Sequence, residues 1–345
     1  MHPLSLLFYP LFSFSFEQKK FKLYSISPFL SSLSNLTLRG NEHSFISSSL
    51  INIYSNHPIF LGIPKHSRID LSLKSIQIKF IASPLIKGSS SRVTLDSISL
   101  DNTNLINDFC KDLININTSD CLPVFFDCNV TIRNCRIENF FPSTDTSISI
   151  RSSVIQSYGA NIDIDHSSFL YCSSNESPIL FAALSNINFL FSNFSFNYGE
   201  SEGVFSMTHS TGKARGCFFG NNEAHENGVC SISESIFNFN SNAIVHNRAD
   251  INSIVYLLLS NSTLSQNYFV ANRIQGTFYG IVSIYDDLRT STNVSFIRCI
   301  FSLNKEVEEI SDNELNLQLN KNNKKPMSSK FSSPKNKKIM LSGQS

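Results

Sequence analysis

Large apolar side chains return at a constant interval of about 25 residues through the second half of the chain, which is within the range of known repeat architectures. Five segments align without gaps, and the apolar residue that they share near their ends defines position zero: Phe169, Phe194, Phe219, Ile244 and Phe269. Further apolar residues usually precede position zero by seven and five places, as Ile187 and Phe189 do. Such a period is typical of a solenoid, in which each repeat packs against its neighbours.

The pattern continues on both sides of these five segments. Position zero falls at Ile137 ahead of the first of them and at Phe301 beyond the last, and both intervals exceed the period by the same short insertion. Weaker copies place Leu100 and Ile78 there. Together the nine copies predict one repeat domain over residues 70–304.

Within each copy the apolar residues alternate, which predicts short strands and not helices. The apolar positions are −7 and −5, −2 and zero, and +10 and +12, the last pair being Ile179 and Phe181 in one copy. Three strands in each repeat are one coil of a right-handed parallel β-helix, an all-β fold in which each strand pairs with its counterpart one coil away. The residues at position zero are then expected to stack inside the rod, as a column of Phe169, Phe194, Phe219, Ile244, Phe269 and Phe301.

Asparagine recurs at two fixed places in the repeat. The first lies three residues after position zero and predicts a ladder of stacked amides, because asparagine forms such ladders and tolerates the left-handed backbone of a tight corner. Its members are Asn197, Asn222, Asn247, Asn272 and Asn304. The second place lies eight residues before position zero and includes Asn129, Asn161, Asn186, Asn261 and Asn293.

Seven N-x-S/T sequons occur along the chain. Three of them, at Asn129, Asn261 and Asn293, belong to the second asparagine set, where we expect the amide to be engaged already. If the chain is exported, the expected N-glycosylation sites are Asn35, Asn117 and Asn175.

The tetrads FSFN (194–197), FGNN (219–222), FVAN (269–272) and FSLN (301–304) share the form F-x-x-N. This form resembles the repeat of chlamydial polymorphic outer-membrane proteins, which pair it with G-G-A/I/L/V a few residues later. Degenerate partners occur here at a constant offset, as EGVF (202–205) and NGVC (227–230). Similar repeats occur in surface proteins of parasitic protists such as trichomonads. The resemblance covers about two-thirds of the chain and implies surface display with an adhesive or structural role.

The remaining segments differ from the repeats in character. Residues 1–15 contain a short apolar run that predicts a signal peptide, although no Lys or Arg precedes it, and the alternative is a buried strand. Residues 16–69 are expected to form an N-terminal cap. Residues 305–345 are acidic and then rich in Lys, Asn and Ser, which predicts a short helix near 305–320 followed by disorder.

Composition and charge exclude several classes of partner. The 28 basic residues nearly balance 27 acidic ones, so we expect no nucleic-acid partner. Beyond the N-terminal run no apolar stretch approaches about 20 residues, so we expect no membrane span. We found no P-loop, zinc-protease or nucleophile-elbow motif, and the sequence predicts no cofactor and no catalytic residue.

β-Helices of the pectin-lyase-like fold also include polysaccharide lyases and hydrolases, which need carboxylates a few ångströms apart. The outward columns at −6 and −4 do not stack carboxylates from adjoining coils. The least implausible acids are Asp163 and Asp165, the latter an expected ion-pair partner of Arg133, and the loop residues Asp286 and Asp287. They support an enzymatic alternative only weakly.

The cysteines raise the question of a metal or redox site, most of all in GCFFGNNEAHENGVC (216–230). The register places Cys217 at the inward position −2 and Cys230 at +11, where we expect it to face outward, so the spacing is that of one coil and predicts no metal site. Cys110 and Cys121 bracket an extra loop, and an oxidising compartment would favour a disulfide between them; the alternative is two free thiols.

These observations predict a non-enzymatic, secreted or cell-surface β-helix that contacts a host, matrix or glycan ligand. The alternatives are a carbohydrate-active enzyme of the pectin-lyase-like fold, and an incomplete member of a large gene family without a function of its own.

Overall fold

The computed structural model describes residues 14–21, 36–46, 49–53, 60–62, 69–75, 77–81, 86–88, 91–101, 112–117, 128–140, 153–275, 280–286 and 292–306. Side chains are described at 72–75, 92–100, 129–140, 153–275, 280–286 and 292–305. Every strand pair among these residues is parallel, and each strand pairs with the equivalent strand one coil away. The predicted right-handed parallel β-helix is confirmed.

The first of three sheets has twenty strands in two ladders. Ladder A precedes position zero and consists of Ile69–Lys74, Ser91–Asp96, Cys128–Arg133, Ala160–Asp165, Asn186–Leu190, Thr211–Arg215, Ile236–Asn240, Asn261–Ser265 and Val294–Ile297. Ladder B follows position zero and consists of Phe60–Gly62, Ile86–Gly88, Asp112–Asn117, Ser153–Tyr158, Leu180–Ala183, Phe205–Thr208, Asn227–Ser233, Ser253–Leu258 and Val282–Tyr285. Leu36–Ile46 pairs with both ladders, and Phe14–Phe21 pairs with Leu36–Ile46.

The second sheet contains position zero. Its ten strands are Ser49–Ile53, Gln77–Ile81, Ser99–Asp101, Arg136–Glu138, Ser168–Leu170, Asn193–Ser195, Phe218–Gly220, Ala243–Val245, Tyr268–Val270 and Ile300–Ser302. All nine copies found in the sequence supply one strand, and Ser49–Ile53 adds a tenth ahead of them. Parallel pairing therefore extends into the segment for which a cap is predicted; its role as a cap stays a prediction.

A third sheet was missed by the sequence pattern. It has six strands of two residues each: Ser173–Ser174, Tyr198–Gly199, Glu223–Ala224, Arg248–Ala249, Arg273–Ile274 and Lys305–Glu306. In three successive coils the inward residue of this strand is as small as Gly199, Ala224 or Ala249. A two-residue strand with a small inward side chain shows no alternation that a sequence could reveal.

The residues at position zero form a column through the core. Phe169, Phe194 and Phe219 are fully buried, with successive ring centroids 5.4 Å and 5.2 Å apart and the planes nearly parallel. Ile244 is also buried, and Phe269 stacks on Phe301 at 4.6 Å. Offset aromatic stacking adds to the burial of these rings, so the column stabilises adjacent coils against each other.

The predicted inward positions of ladder B were wrong by one residue. Positions +11 and +13 face the core, as Phe205 and Met207 do, whereas Ser206 at +12 is partly exposed. Position +10 is buried as well, as Val204 directly before the strand Phe205–Thr208 shows. Cys230 at +11 is consequently fully buried and not outward-facing, which corrects the expectation for the motif at 216–230.

At the corners between strands, the backbone of one residue adopts the left-handed conformation. Every described non-glycine residue with positive φ lies at −10, −3 or +2, with φ between 46° and 58°. The residue after each corner is usually a buried Ser, Asn or Cys. Its backbone N–H often donates to the side chain of the same position one coil later, as Ser210 does to Ser235 Oγ at 2.9 Å. The left-handed backbone at each corner is unfavourable for an L-residue, and the hydrogen bonds between coils offset this free-energy cost.

Candidate functional site

Asp163 and Asp165 lie two residues apart on the outward face of the strand Ala160–Asp165, and each has a neighbour that engages it. Asp163 accepts a 2.7 Å hydrogen bond from Asn188 Nδ2 on the next coil. Asp165 pairs with His166 Nδ1 at 2.7 Å. The ion pair with Arg133 that the sequence predicted is not formed. Asp286 accepts a 2.8 Å hydrogen bond from Thr292 Oγ1, and Asp287 lies outside the described residues.

The distance along the rod separates these acids further. Five steps of ladder A lead from the strand of Asp163 to Val294–Ile297, the strand that follows Thr292. At roughly 4.8 Å a step this is about 24 Å. Two carboxylates that act on one glycosidic bond are about 5 to 10 Å apart. Asp163 and Asp165 therefore cannot act together with Asp286 on the same bond.

A shallow cavity of about 460 Å³ lies on the outer face of ladder A. It is lined by seven residues that lie on three consecutive strands or, in the case of Asn293, directly before one: Ile236, Asn238, Asn261, Ser262, Thr263, Asn293 and Ser295. Five of them present an outward amide or hydroxyl group, whereas Ser262 occupies the inward position −7 and is buried, and none of these seven residues carries an ionisable side chain. The cavity therefore offers donors and acceptors to an uncharged polar ligand.

Hydrogen bonds between coils hold this lining in place. Asn238 Oδ1 accepts from the backbone N–H of Thr263 at 3.1 Å, and Asn261 Oδ1 accepts from the N–H of Asn293 at 2.8 Å. Ser295 Oγ lies 3.3 Å from Thr263 Oγ1. Because the amide oxygens of Asn238 and Asn261 accept from the backbone, the NH₂ groups of these two residues stay fixed in orientation and can donate to a ligand.

Exposed aromatic rings cluster on earlier coils, at the edges of the second sheet. We call His166, Tyr171, Phe191, Phe196 and Phe218 the aromatic surface. Tyr171 and Phe196 stack with centroids 5.0 Å apart, and the ring centroids of His166 and Phe191 are 5.2 Å apart. The sequence analysis missed this surface, because its members occupy the outward positions −3, −1 and +2 of different coils.

Charged side chains concentrate on the third sheet. Arg248 pairs with Glu223 at 2.9 Å and with Asp250 at 3.2 Å, while His225 Nδ1 lies 3.7 Å from Asp250. Glu223 and His225 of the motif at 216–230 thus meet partners from the following coil. Within the described part of the chain no group of three or more His, Cys, Asp and Glu is placed to hold a metal ion.

Burial makes four of the described cysteines poor nucleophiles. It raises the pKa of Cys172 to about 12 and those of Cys135 and Cys217 to about 11. The pKa of Cys230 is raised well above its usual value, first by burial and then by the charge of Glu202. All four are free thiols. The predicted disulfide between Cys110 and Cys121 lies outside the described residues.

The asparagines of the predicted ladder form one in the structure. From Asn197 to Asn304 each Nδ2 donates to the Oδ1 of the next member at 3.0 Å. Among the expected glycosylation sites, Asn175 is exposed in the loop after Ser173–Ser174. Asn117 ends a strand of ladder B, with its side chain outside the description, and Asn35 lies outside the described residues. Glycosylation at the three sites stays a prediction.

None of the described residues forms a helix with the length and apolar character needed to cross a membrane.

No family model matches the sequence, and no curated protein matches it. Solved structures of similar fold include the following two. PfbA, a surface adhesin of Streptococcus pneumoniae, is 11% identical with a TM-score of 0.35, over 84% of each chain. An endo-xylogalacturonan hydrolase from Aspergillus tubingensis is 7% identical with a TM-score of 0.28, over 86% of this chain and 85% of the other. At this level of similarity the assignment of the fold relies on the strand pairing of the chain itself.

Proposed function

We propose that this protein is a secreted or surface-displayed β-helix that binds an uncharged, hydroxyl-rich ligand of a host or matrix surface without cleaving it. The observation that carries the proposal is the lining of the cavity on ladder A, which consists of amides, hydroxyls and Ile236. Fixed amide and hydroxyl groups match the hydroxyls of a neutral glycan, while an anionic or cationic ligand would find no counter-charge among these lining residues.

The same lining argues against hydrolysis at this site. Cleavage of a glycosidic bond requires a general acid and a second carboxylate that acts as base or nucleophile. The seven lining residues supply neither. Binding is the activity for which the described residues of the cavity are equipped.

The second candidate is a carbohydrate-active enzyme of the pectin-lyase-like fold. One observation favours it: Thr292, which binds Asp286, directly precedes Asn293 of the cavity lining. Asp286 and its neighbour Asp287 are therefore the acids for this candidate, whereas Asp163 and Asp165 lie about 24 Å away along the rod.

A glycan array combined with a reducing-sugar assay tests both candidates. We expect the purified protein, produced without glycosylation, to retain one or more neutral glycans and to release no reducing ends from them. Release that disappears in Asp286→Asn or Asp287→Ala would establish the enzyme and refute the proposal. Retention of no glycan, together with no release, would contradict both candidates and leave the third alternative, a chain without a function of its own.

A matched pair of variants locates the binding site. Asn238 lines the cavity, and Asn240 lies two residues further on the same strand with the same outward orientation but outside the cavity. We expect Asn238→Leu to weaken glycan binding about tenfold, because it removes hydrogen bonds to the ligand, and Asn240→Leu to leave the affinity within about twofold. Equal effects of the two variants would place the ligand elsewhere.

A further inference from the structure

The aromatic surface exposes more apolar ring area than the fold requires. Phe191 is 52% exposed, Tyr171 and Phe196 are each 48% exposed, and Phe218 is 39% exposed. These rings lie on the three consecutive coils with position zero at Phe169, Phe194 and Phe219. Exposed aromatic rings that are grouped in this way mark an interaction site more often than scattered ones do.

Two glycines let the phenylalanine rings lie down on the sheet. The ring of Phe191 lies over Gly216 of the next coil, where an added Cβ would be 2.6 Å from Cδ1 and 2.8 Å from Cε1. The ring of Phe218 lies over Gly220 of its own strand, and a methyl group there would overlap it. Each glycine therefore leaves room for one side of a ring, and the ring occupies that place before any ligand arrives.

Hydrogen-bonding groups lie between the rings. Ser168 and Asn193 are half-buried residues on the strands of the second sheet that the rings border, and Ser195 is buried and donates its hydroxyl to Asn193 Oδ1. His166 Nδ1 of the surface lies 2.7 Å from Asp165 Oδ1, so this carboxylate has a partner on the surface itself. The surface thus combines exposed apolar rings with the hydroxyl of Ser168 and the amide of Asn193.

We infer that the aromatic surface is a stacking platform for the ring faces of a neutral sugar chain. A pyranose ring has a face of C–H bonds and a rim of hydroxyls. The C–H bonds carry partial positive charge and are attracted to the negative face of an aromatic ring, while the hydroxyls bond to Ser and Asn side chains. The inference rests on the proposed function for the class of ligand, and it assigns the apolar part of the recognition to a surface other than the cavity.

Native affinity electrophoresis measures the interaction directly. The full chain is run through gels that contain a soluble neutral polysaccharide (hydroxyethyl cellulose, galactomannan or xylan), with dextran sulfate as the charged comparison. We expect at least one neutral polymer to retard the wild-type protein, and dextran sulfate not to. Phe191→Ser combined with Phe218→Ser should raise the dissociation constant at least about tenfold. The control Ile251→Ser removes an exposed apolar side chain outside the platform and should leave the constant unchanged.

Gly220→Ala provides the sharpest variant. It keeps every aromatic ring but displaces that of Phe218, and the backbone accepts alanine because the equivalent residues one coil away, Ser195 and Val245, both have a Cβ. We expect normal urea denaturation and weaker retardation, whereas Phe191→Tyr, which keeps the ring, should bind like the wild type.

The possible outcomes separate the inference from the proposed function. Retardation that persists in the double variant and in Gly220→Ala, but is lost in Asn238→Leu, would overturn the platform and leave the proposed function standing. Retardation by dextran sulfate alone, or by none of the polymers, would overturn both. Loss in the platform variants with normal denaturation would support the inference.

Discussion

Buried amides and hydroxyls connect successive coils. Asn222 is 1% exposed, and its Nδ2 donates to Asn247 Oδ1 at 3.0 Å and to the Phe194 carbonyl at 2.9 Å. Its Oδ1 accepts from the backbone N–H and the Nδ2 of Asn197. One side chain thus satisfies polar groups on both neighbouring coils, which is the reason for its recurrence.

Asn222→Ala should lower the free energy of unfolding by about 3 kcal/mol, because it leaves buried donors and acceptors on two coils without partners. Urea denaturation followed by circular dichroism measures the change. The control is Asn175→Ala in an exposed loop, for which we expect a change within about 0.5 kcal/mol. A similar loss in both variants would show that the ladder does not contribute specifically.

The buried thiols make stability depend on pH in the alkaline range. Cys172 has its pKa raised from 9.0 to about 12, chiefly by burial, so the folded protein holds this proton more tightly than the unfolded chain. The contribution is complete below pH 9 and is lost as the pH rises towards 12.

We therefore expect the free energy of unfolding of the wild type to fall more steeply between pH 9 and pH 11 than that of Cys172→Ala, by about 2 kcal/mol over this interval. Urea titrations at several pH values give both slopes, and Tyr and Lys titrate equally in the two proteins. Parallel slopes would contradict a raised pKa for Cys172.

At the scale of the element, the corner decides where each strand ends. The columns at −10, −3 and +2 adopt positive φ with residues as different as Leu, His, Phe and Ala. An L-residue costs about 1–2 kcal/mol in this conformation, so the side chain does not select it. Hydrogen bonds from the following residue to the next coil impose it, as those of Ser185 and Ser210 do.

Two alanine-to-glycine substitutions should have opposite effects. Ala271 has φ 53° at a corner, and Ala271→Gly should raise the free energy of unfolding by about 1 kcal/mol. Ala243 begins the strand Ala243–Val245, where Ala243→Gly should lower it by about 0.5–1 kcal/mol. Urea midpoints of the two variants and the wild type provide the comparison, and destabilisation by both would contradict the relief of corner strain.

At the scale of the whole molecule, the coils form a linear array whose middle is packed more completely than its last described coil. Phe219 is fully buried between neighbours, whereas Phe301 is only partly buried at the end of the described stack. In such an array stability is close to a sum of coil and nearest-neighbour contributions, so the cost of a substitution depends on its place along the rod.

Phe219→Ala should therefore cost about 3–5 kcal/mol, and Phe301→Ala less than half of that value. The control is Phe218→Ala, which removes the same type of side chain from the adjacent residue. Phe218 belongs to the aromatic surface and is 39% exposed, so its loss should cost about 1 kcal/mol or less. Hydrogen exchange of the strands around each site gives the local free energies. Equal costs for Phe219 and Phe301 would contradict the linear array.

The sequence by itself determined the period, the column at position zero and the asparagine ladder. Core residues such as Phe194 and buried amides such as Asn222 meet the same surroundings in every coil, so the same residue types recur at intervals that can be counted. The fold class follows from that recurrence together with the period of two within each copy.

Only the tertiary structure decided the rest. The third sheet, the burial of Cys230 and the partner of Asp165 depend on where each corner bends the chain, and the hydrogen bonds that fix a corner come from the equivalent residue of the next coil. The cavity and the aromatic surface are each assembled from several coils at outward positions. Packing leaves most of those positions free to vary, so apart from the asparagines at −8 they carry no period, and only the stacking of the coils brings them together.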